Sequence, residues 1–212
     1  MAELTSSDSN ATAPDSLGPG PVALLLLAAG ASTRMGQPKQ LLPYHGRTLL
    51  RHAAEIAVAS GCAPIVLVTG SVHEALIGEV SDLSIQAVRN ENWESGMASS
   101  IQTGLLAVAP SQFRAVLIML TDQPLVTPEL LRQLAVRQHQ TQAPIVATAY
   151  GDILGVPAVF NRAMLPALLK LQGAQGAARL IASLGPAVGQ VVFPAGLLDV
   201  DTPEQYAALL GT

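Results

Sequence analysis

The sequence predicts an α/β fold: a three-layer, mostly parallel sheet with helices on both faces. Two observations carry that prediction. Short aliphatic runs alternate with longer stretches of helical periodicity from residue 22 to residue 210, as in successive strand–helix units. The runs at 22–27 and 116–120 are apolar without alternation, as strands covered on both faces are. A length of 212 residues suits one such domain and is short for two.

The strands read as Val22–Leu27, Ile65–Thr69, Ser84–Val88, Val116–Leu120, Ile145–Tyr150 and Val191–Phe193. Each is short, aliphatic and bounded by turn residues. The helices read as Thr48–Ser60, Val72–Val80, Met97–Val108, Pro128–His139, Arg162–Leu171, Gly176–Leu184 and Pro203–Leu210. Thr127 before Pro128 is a cap residue before a proline at the first helical position. Thr202 with Gln205 has capping-box spacing. Residues 1–20 are rich in Ser, Ala, Asp, Pro and Gly. They are expected to form a disordered N-terminal tail and lack the basic start of a signal peptide. Residues 21–212 are expected to form a single domain.

Composition narrows the function. Half the residues are hydrophobic and 3% are aromatic, so the core is aliphatic. Charged residues are 12% and the net charge is −4, with no basic patch of the kind that captures nucleic acid. The apolar run at 21–29 is too short for a bilayer, which takes about 20 residues. Neither nucleic acid nor membrane is an expected partner. Cys62 is the one cysteine, so neither an intramolecular disulfide nor a CxxC metal site is possible. A reducing cytoplasm fits that usage.

Ligands of open α/β sheets bind beyond the carboxyl ends of the strands, and three loops there are unusual. The first follows the 22–27 strand and reads LLLLAAGASTRMGQPK over 24–39. The small residues Ala28, Ala29 and Gly30 let backbone approach a ligand, and exposed amides can hold phosphate oxygens. Ser32 follows, then Arg34 and Lys39, which can neutralise a triphosphate as a planar fork and a point charge. It is not a P-loop, because Gly36 is followed by Gln37. It is not a dinucleotide loop, because Ser32 holds the second glycine position of GxGxxG.

The second loop reads NENWESGMASSIQTG over 90–104. A glycine and two serines open a helix there, and free amides and hydroxyls can hold sugar or base polar atoms. Gly96 and Ser100 are the candidates, with Ser99 behind them. Trp93 reads as a core residue. The third loop reads VLIMLTDQPLV over 116–126. Asp122 ends a buried strand with no Lys or Arg within seven residues, an expensive place for a carboxylate that meets no cation. Mg²⁺ is a natural partner, held by one or two carboxylates plus substrate phosphates. Asp199 and Asp201, two apart, point to one side of extended chain. The four histidines form no catalytic arrangement: His45 reads as a turn residue, and His52, His73 and His139 as helix-surface residues.

The run L-A-A-G-x-S-x-R-M-G-x-x-K-x-L resembles the signature of the NTP-transferase (MobA-like) family, and most closely its molybdenum cofactor cytidylyltransferase branch. The stretches N-x-x-W-x-x-G-M-x-S-S, T-D-Q-P and D-x-D-T-P-E are similar to further motifs of that family. The resemblance implies a Rossmann-like fold of the nucleotide-diphospho-sugar transferase type. It implies that the first loop wraps the triphosphate, with Lys39 supporting phosphoryl transfer and Gly96 and Ser100 facing the nucleotide. It also implies Mg²⁺ held by Asp122 and Asp201, with Asp199 in support. The catalytic set is then Lys39, Arg34 and Asp122. The nucleotide-binding set is Ala28, Ala29, Gly30, Ser32, Arg34, Lys39, Gly96 and Ser100.

The implied reaction moves CMP from CTP to molybdopterin and releases pyrophosphate, with a molybdoenzyme as downstream partner. The match is less faithful between residue 130 and the final motif. Where the family often reads G-H-P this chain has Gly155-Val156-Pro157, and where it reads G-D-K-G-A this chain has Gly173-Ala174-Gln175-Gly176-Ala177. Those changes touch the acceptor. They keep open GTP as donor, a sugar or polyol phosphate as acceptor, and a non-catalytic molybdenum cofactor chaperone.

Overall fold

The structure, a computed structural model, describes residues 20–211; the predicted tail lies, but for Gly20, outside the described residues. Among the described residues, seven strands form one sheet in the order β5-β4-β1-β6-β8-β7-β9. They are β1 (Val22–Ala28), β4 (Ile65–Thr69), β5 (Gln86–Arg89), β6 (Ala115–Leu120), β7 (Ile145–Tyr150), β8 (Ile153–Asn161) and β9 (Gly189–Val192). A small hairpin joins β2 (Pro43–Tyr44) to β3 (Arg47–Thr48).

Strand β1 sits centrally, parallel to β4 and β6, and its seven residues are all buried. Its alternation divides the core. Leu24 and Leu26 join the cluster under α1 (Leu49–Ala59) and α4 (Pro128–Thr141). Leu25 and Leu27 join the cluster under α3 (Met97–Val108) and α6 (Ala177–Leu184). A strand with both faces covered needs no polar side, which is why its sequence shows no alternation. A third cluster packs Met35, Leu42, Tyr44, Leu49, Val200 and Leu209. It fixes the first loop and the hairpin against α7 (Pro203–Leu210).

The predicted caps form. Thr127 accepts from the Leu130 amide, and Thr202 with Gln205 completes a capping box. Three readings need correction. Strand β8 was not among the expected strands; it runs antiparallel to both β6 and β7, and the Pro157 within it disguised it as a loop. The expected helix at 162–171 is a 3₁₀ turn, Arg162–Met164, followed by the one-turn α5 (Leu165–Leu168). The helix expected at 72–80 is shorter, α2 (His73–Gly78). No helix among the described residues is long and apolar enough to cross a membrane.

Candidate active site

The carboxyl ends of β1 and β6 open into a cavity of about 280 Å³ whose lining includes Ala28, Ala29, Gly30, Lys39, Gly96, Ser100 and Asp122. Residues from three distant stretches of sequence therefore line one cavity. The first loop is shaped from inside by a residue the sequence reading missed. Buried Gln40 donates through its carboxamide to both Ala28 O and Gly30 O at 2.9 Å. Ser32 adopts φ 55°, and its hydroxyl accepts from the Lys39 amide at 3.1 Å and donates to Gln40 Oε1 at 3.3 Å. Ser32 is thus engaged within the loop and is not among the cavity-lining residues. Its hydroxyl holds the loop in shape.

Lys39 reaches across to the acids. Its Nζ lies 2.6 Å from Asp122 Oδ2 and 2.7 Å from Asp201 Oδ1. Arg34 Nη2 meets the other oxygen of Asp201 at 2.7 Å. The acids come from loops 79 positions apart in the chain, yet a backbone bond ties those loops: the Val200 amide donates to Asp122 O at 2.9 Å. Val200 is fully buried in the third cluster, which anchors the bond. Asp201 is then oriented by α7, whose Gln205 Oε1 accepts from the Asp201 amide at 2.9 Å.

Burial pushes the Lys39 ammonium down, but the Asp122 and Asp201 carboxylates outweigh it and hold its pKa above the usual lysine value. Burial pushes Asp201 up, and Lys39 and Arg34 outweigh it, leaving its pKa lowered. Asp199 goes the other way: burial and the Asp122 charge raise it. Two oxygens here are buried without a hydrogen-bond partner, Asp122 Oδ1 and Asp199 Oδ1.

A hard divalent cation fits this donor set. Two carboxylates already converge on one cationic atom, and the orphaned Asp122 Oδ1 offers a further lone pair. Among the described residues no three His, Cys, Asp or Glu side chains form a closed metal cage. An ion of the Mg²⁺ type, which takes one or two carboxylates plus substrate oxygens, needs none.

The second loop forms the opposite wall. Asn90 is buried and donates through Nδ2 to Ser99 Oγ at 2.8 Å and Ser100 Oγ at 3.0 Å, which fixes the start of α3. Asn90 was not singled out from sequence, since a lone Asn at a strand end carries no distinctive signal. Gly96 has φ 108° and packs on Gly173, so that the Ala98 amide donates to Gly173 O at 3.1 Å. Trp93, expected in the core, is half-buried and lines the cavity instead. His52, expected on the surface, is half-buried. Its Nε2 donates to Pro124 O at 2.8 Å, two residues beyond Asp122.

The chain is similar to known proteins. The model of the MobA-like NTP transferase domain matches residues 24–188. A nicotine blue oxidoreductase of Paenarthrobacter nicotinovorans is 32% identical over 88% of this chain and 95% of its own length. A probable molybdenum cofactor guanylyltransferase of Mycobacterium tuberculosis is 32% identical over 69% of this chain and 65% of its own. The crystal structure of Mycobacterium tuberculosis Rv0371c in complex with manganese superposes with a TM-score of 0.77 at 30% identity. That superposition covers 91% of this chain and 99% of the other.

Proposed function

The chain belongs to the MobA-like NTP transferase family, and from that premise we propose a Mg²⁺-dependent transfer of a nucleoside monophosphate from an NTP to a phosphorylated acceptor, with release of pyrophosphate. The favoured pair is CTP and molybdopterin. One observation carries the reading. Asp122 and Asp201 are held together by a single ammonium, at 2.6 Å and 2.7 Å, beside a cavity walled by small residues. If Lys39 turns to a phosphate, two like charges are left facing each other, and only another cation restores the balance.

In this mechanism the protein positions groups and balances charge. Asp122 and Asp201 would hold Mg²⁺, which when bound neutralises charge at the α-phosphate. Lys39 and Arg34 stabilise the departing pyrophosphate as a point charge and a planar fork. Backbone at Ala28–Gly30, with Gly96 and Ser100, receives base and ribose. The acceptor is already a phosphate, so no strong general base is required.

A second acceptor, such as a sugar or polyol phosphate, is favoured by one specific observation. At Val156, Ala174 and Gln175 this chain departs from the family's G-H-P and G-D-K-G-A, and the last two follow Gly173, which packs on Gly96, so the acceptor side differs from the family's pattern while the nucleotide side keeps it.

The test mixes protein, Mg²⁺, molybdopterin and each of CTP, GTP, ATP and UTP, and measures pyrophosphate. Release with CTP alone is expected. Release with GTP alone moves the donor assignment. Release only with sugar or polyol phosphates moves the acceptor. Tight molybdopterin binding without turnover points to a cofactor chaperone. No release with any donor and acceptor overturns the enzymatic reading.

A further inference from the structure

A second chamber opens beside the cavity just described. It measures about 140 Å³ and is lined by Leu27, Met97, Ile101, Ile118, Leu120, Val156 and the start of α6, Gly176–Ala178. Every lining residue is apolar. It shares Leu27, Met97 and Leu120 with the larger cavity, so the two are neighbours across those three side chains. Met97 is 40% exposed and is the flexible member of the partition, an unbranched thioether that shifts easily. A Cβ at Gly176 would lie 2.6 Å from Met97 Sδ, so a larger residue there would make Met97 move aside. Ala178 is exposed and stands at the mouth.

A phosphate entering this chamber would lose its hydration and meet no cation, a prohibitive exchange. A carbon ring would lose only unfavourable contact with water. An apolar cavity of about 150 Å³ takes one benzene, so the volume suits a single six-membered ring. We infer that this chamber is a specificity subsite that receives an uncharged carbon ring carried by the acceptor, while the acceptor's phosphate stays in the larger cavity. The inference rests on the nucleotidyl-transfer reading of that cavity, and it replaces molybdopterin and the sugar or polyol phosphates, whose rings and chains are polar, with an acceptor that carries a carbon ring. It assigns Val156, Ala177 and Ala178 as the residues that choose the acceptor.

Fluorobenzene observed by ¹⁹F NMR is the probe, with MgCTP and MgGTP binding measured in parallel on the full chain. Saturable binding to the wild type is expected. Ala178→Leu, an exposed helical position that tolerates Leu, should weaken it by about tenfold or more and leave nucleotide affinity unchanged. Val156→Thr, which puts a hydroxyl in the wall, should weaken it in the same direction. Phenyl phosphate should displace the probe at concentrations at least about tenfold below glycerol 3-phosphate. Nucleotide binding without fluorobenzene binding overturns the subsite alone. So does equal binding by wild type and Ala178→Leu, or equal displacement by the two phosphates. Fluorobenzene binding without any nucleotide binding sinks the nucleotidyl-transfer reading, and the acceptor assignment with it.

Discussion

The two halves of the sheet end in different chemistry. In the parallel half, β5-β4-β1-β6, strand ends deliver Ala28–Gly30 and Asp122 to one cavity, where Lys39 bonds Asp122 and Asp201, while Asn90 holds Ser100 from behind. Beyond β6 the antiparallel β8 runs the other way, so it contributes the middle of a strand, Val156, to an apolar chamber. Parallel strands place all their carboxyl ends on one side, where loops can carry charge into water. The amino end of a reversed strand lies on that same side, and β8 starts there at Ile153, opposite Tyr150 of β7. The site thus has a charged half and an oily half that meet at Leu27, Met97 and Leu120, side chains common to both.

The largest expected effect separates the halves directly. Asp122→Ala should lower turnover by on the order of 10³-fold, the scale of losing a preorganised electrostatic group at a reacting phosphate. The fold should survive, because the variant removes a buried oxygen that has no partner, and Lys39 keeps Asp201. Val156→Ala, in the other half, should change KM for the acceptor and leave nucleotide affinity alone. Pyrophosphate release and thermal unfolding measured on both variants check this. Retained turnover in Asp122→Ala would remove the charged half from the mechanism.

A smaller effect lies at the joint of the halves. Gly96 lines the larger cavity and packs on Gly173, which leads into α6. Its φ of 108° disfavours any side chain, and a Cβ would collide with Gly173 backbone and come within 2.7 Å of Ala174 N. Backbone cannot swing aside as a flexible side chain does. Gly96→Ala should therefore destabilise the fold by about 1–3 kcal/mol and weaken nucleotide binding by about tenfold. Denaturant unfolding and NTP titration read the two effects. Wild-type values for both would show that the halves are not joined through this contact.

The charged half was the more legible in sequence, for a physical reason. Its residues are chemically conspicuous: a carboxylate with no nearby cation in sequence, a lysine after small residues, a paired Asp-x-Asp. Lys39, Asp122 and Asp201 stand out in a chain with 12% charged residues. The residues that support them are silent. Gln40 and Asn90 matter through carboxamides that turn inward, and nothing about a single Gln or Asn announces its direction. The apolar half was harder still. Strand β8 contains a proline and reverses direction, while local periodicity says nothing about strand direction. Val156, Ala174 and Gln175 stand out in sequence only as departures from a pattern. That Val156, Gly176 and Ala177 line one chamber is a tertiary fact. Ser32 is a conspicuous residue whose hydroxyl bonds within the loop, to Gln40 and the Lys39 amide, a partnership its place in the sequence does not reveal.

The smallest predicted effect tests how the loop carrying Asp122 is braced from behind. His52 on α1 donates from Nε2 to Pro124 O, so Nδ1 carries no proton, and that atom is buried without a partner. Tyr44 packs edge-on against the ring, with centroids 4.9 Å apart. Protonation would force a buried N–H with no acceptor. Burial accordingly lowers the His52 pKa, and the charges of Arg47 and His45 lower it further, against the pull of the Pro124 carbonyl. A base whose folded pKa is depressed contributes stability above its unfolded value, about 6.5, and loses it as pH falls through the folded value. His52→Gln keeps an amide donor toward Pro124 and cannot titrate. Its stability should be within about 1 kcal/mol of wild type at pH 8, and the acid limb that wild type shows below about pH 6.5 should flatten. Thermal unfolding from pH 8 to pH 5 gives the comparison. Parallel curves for the two proteins would mean that His52 does not set the acid sensitivity of the loop carrying Asp122.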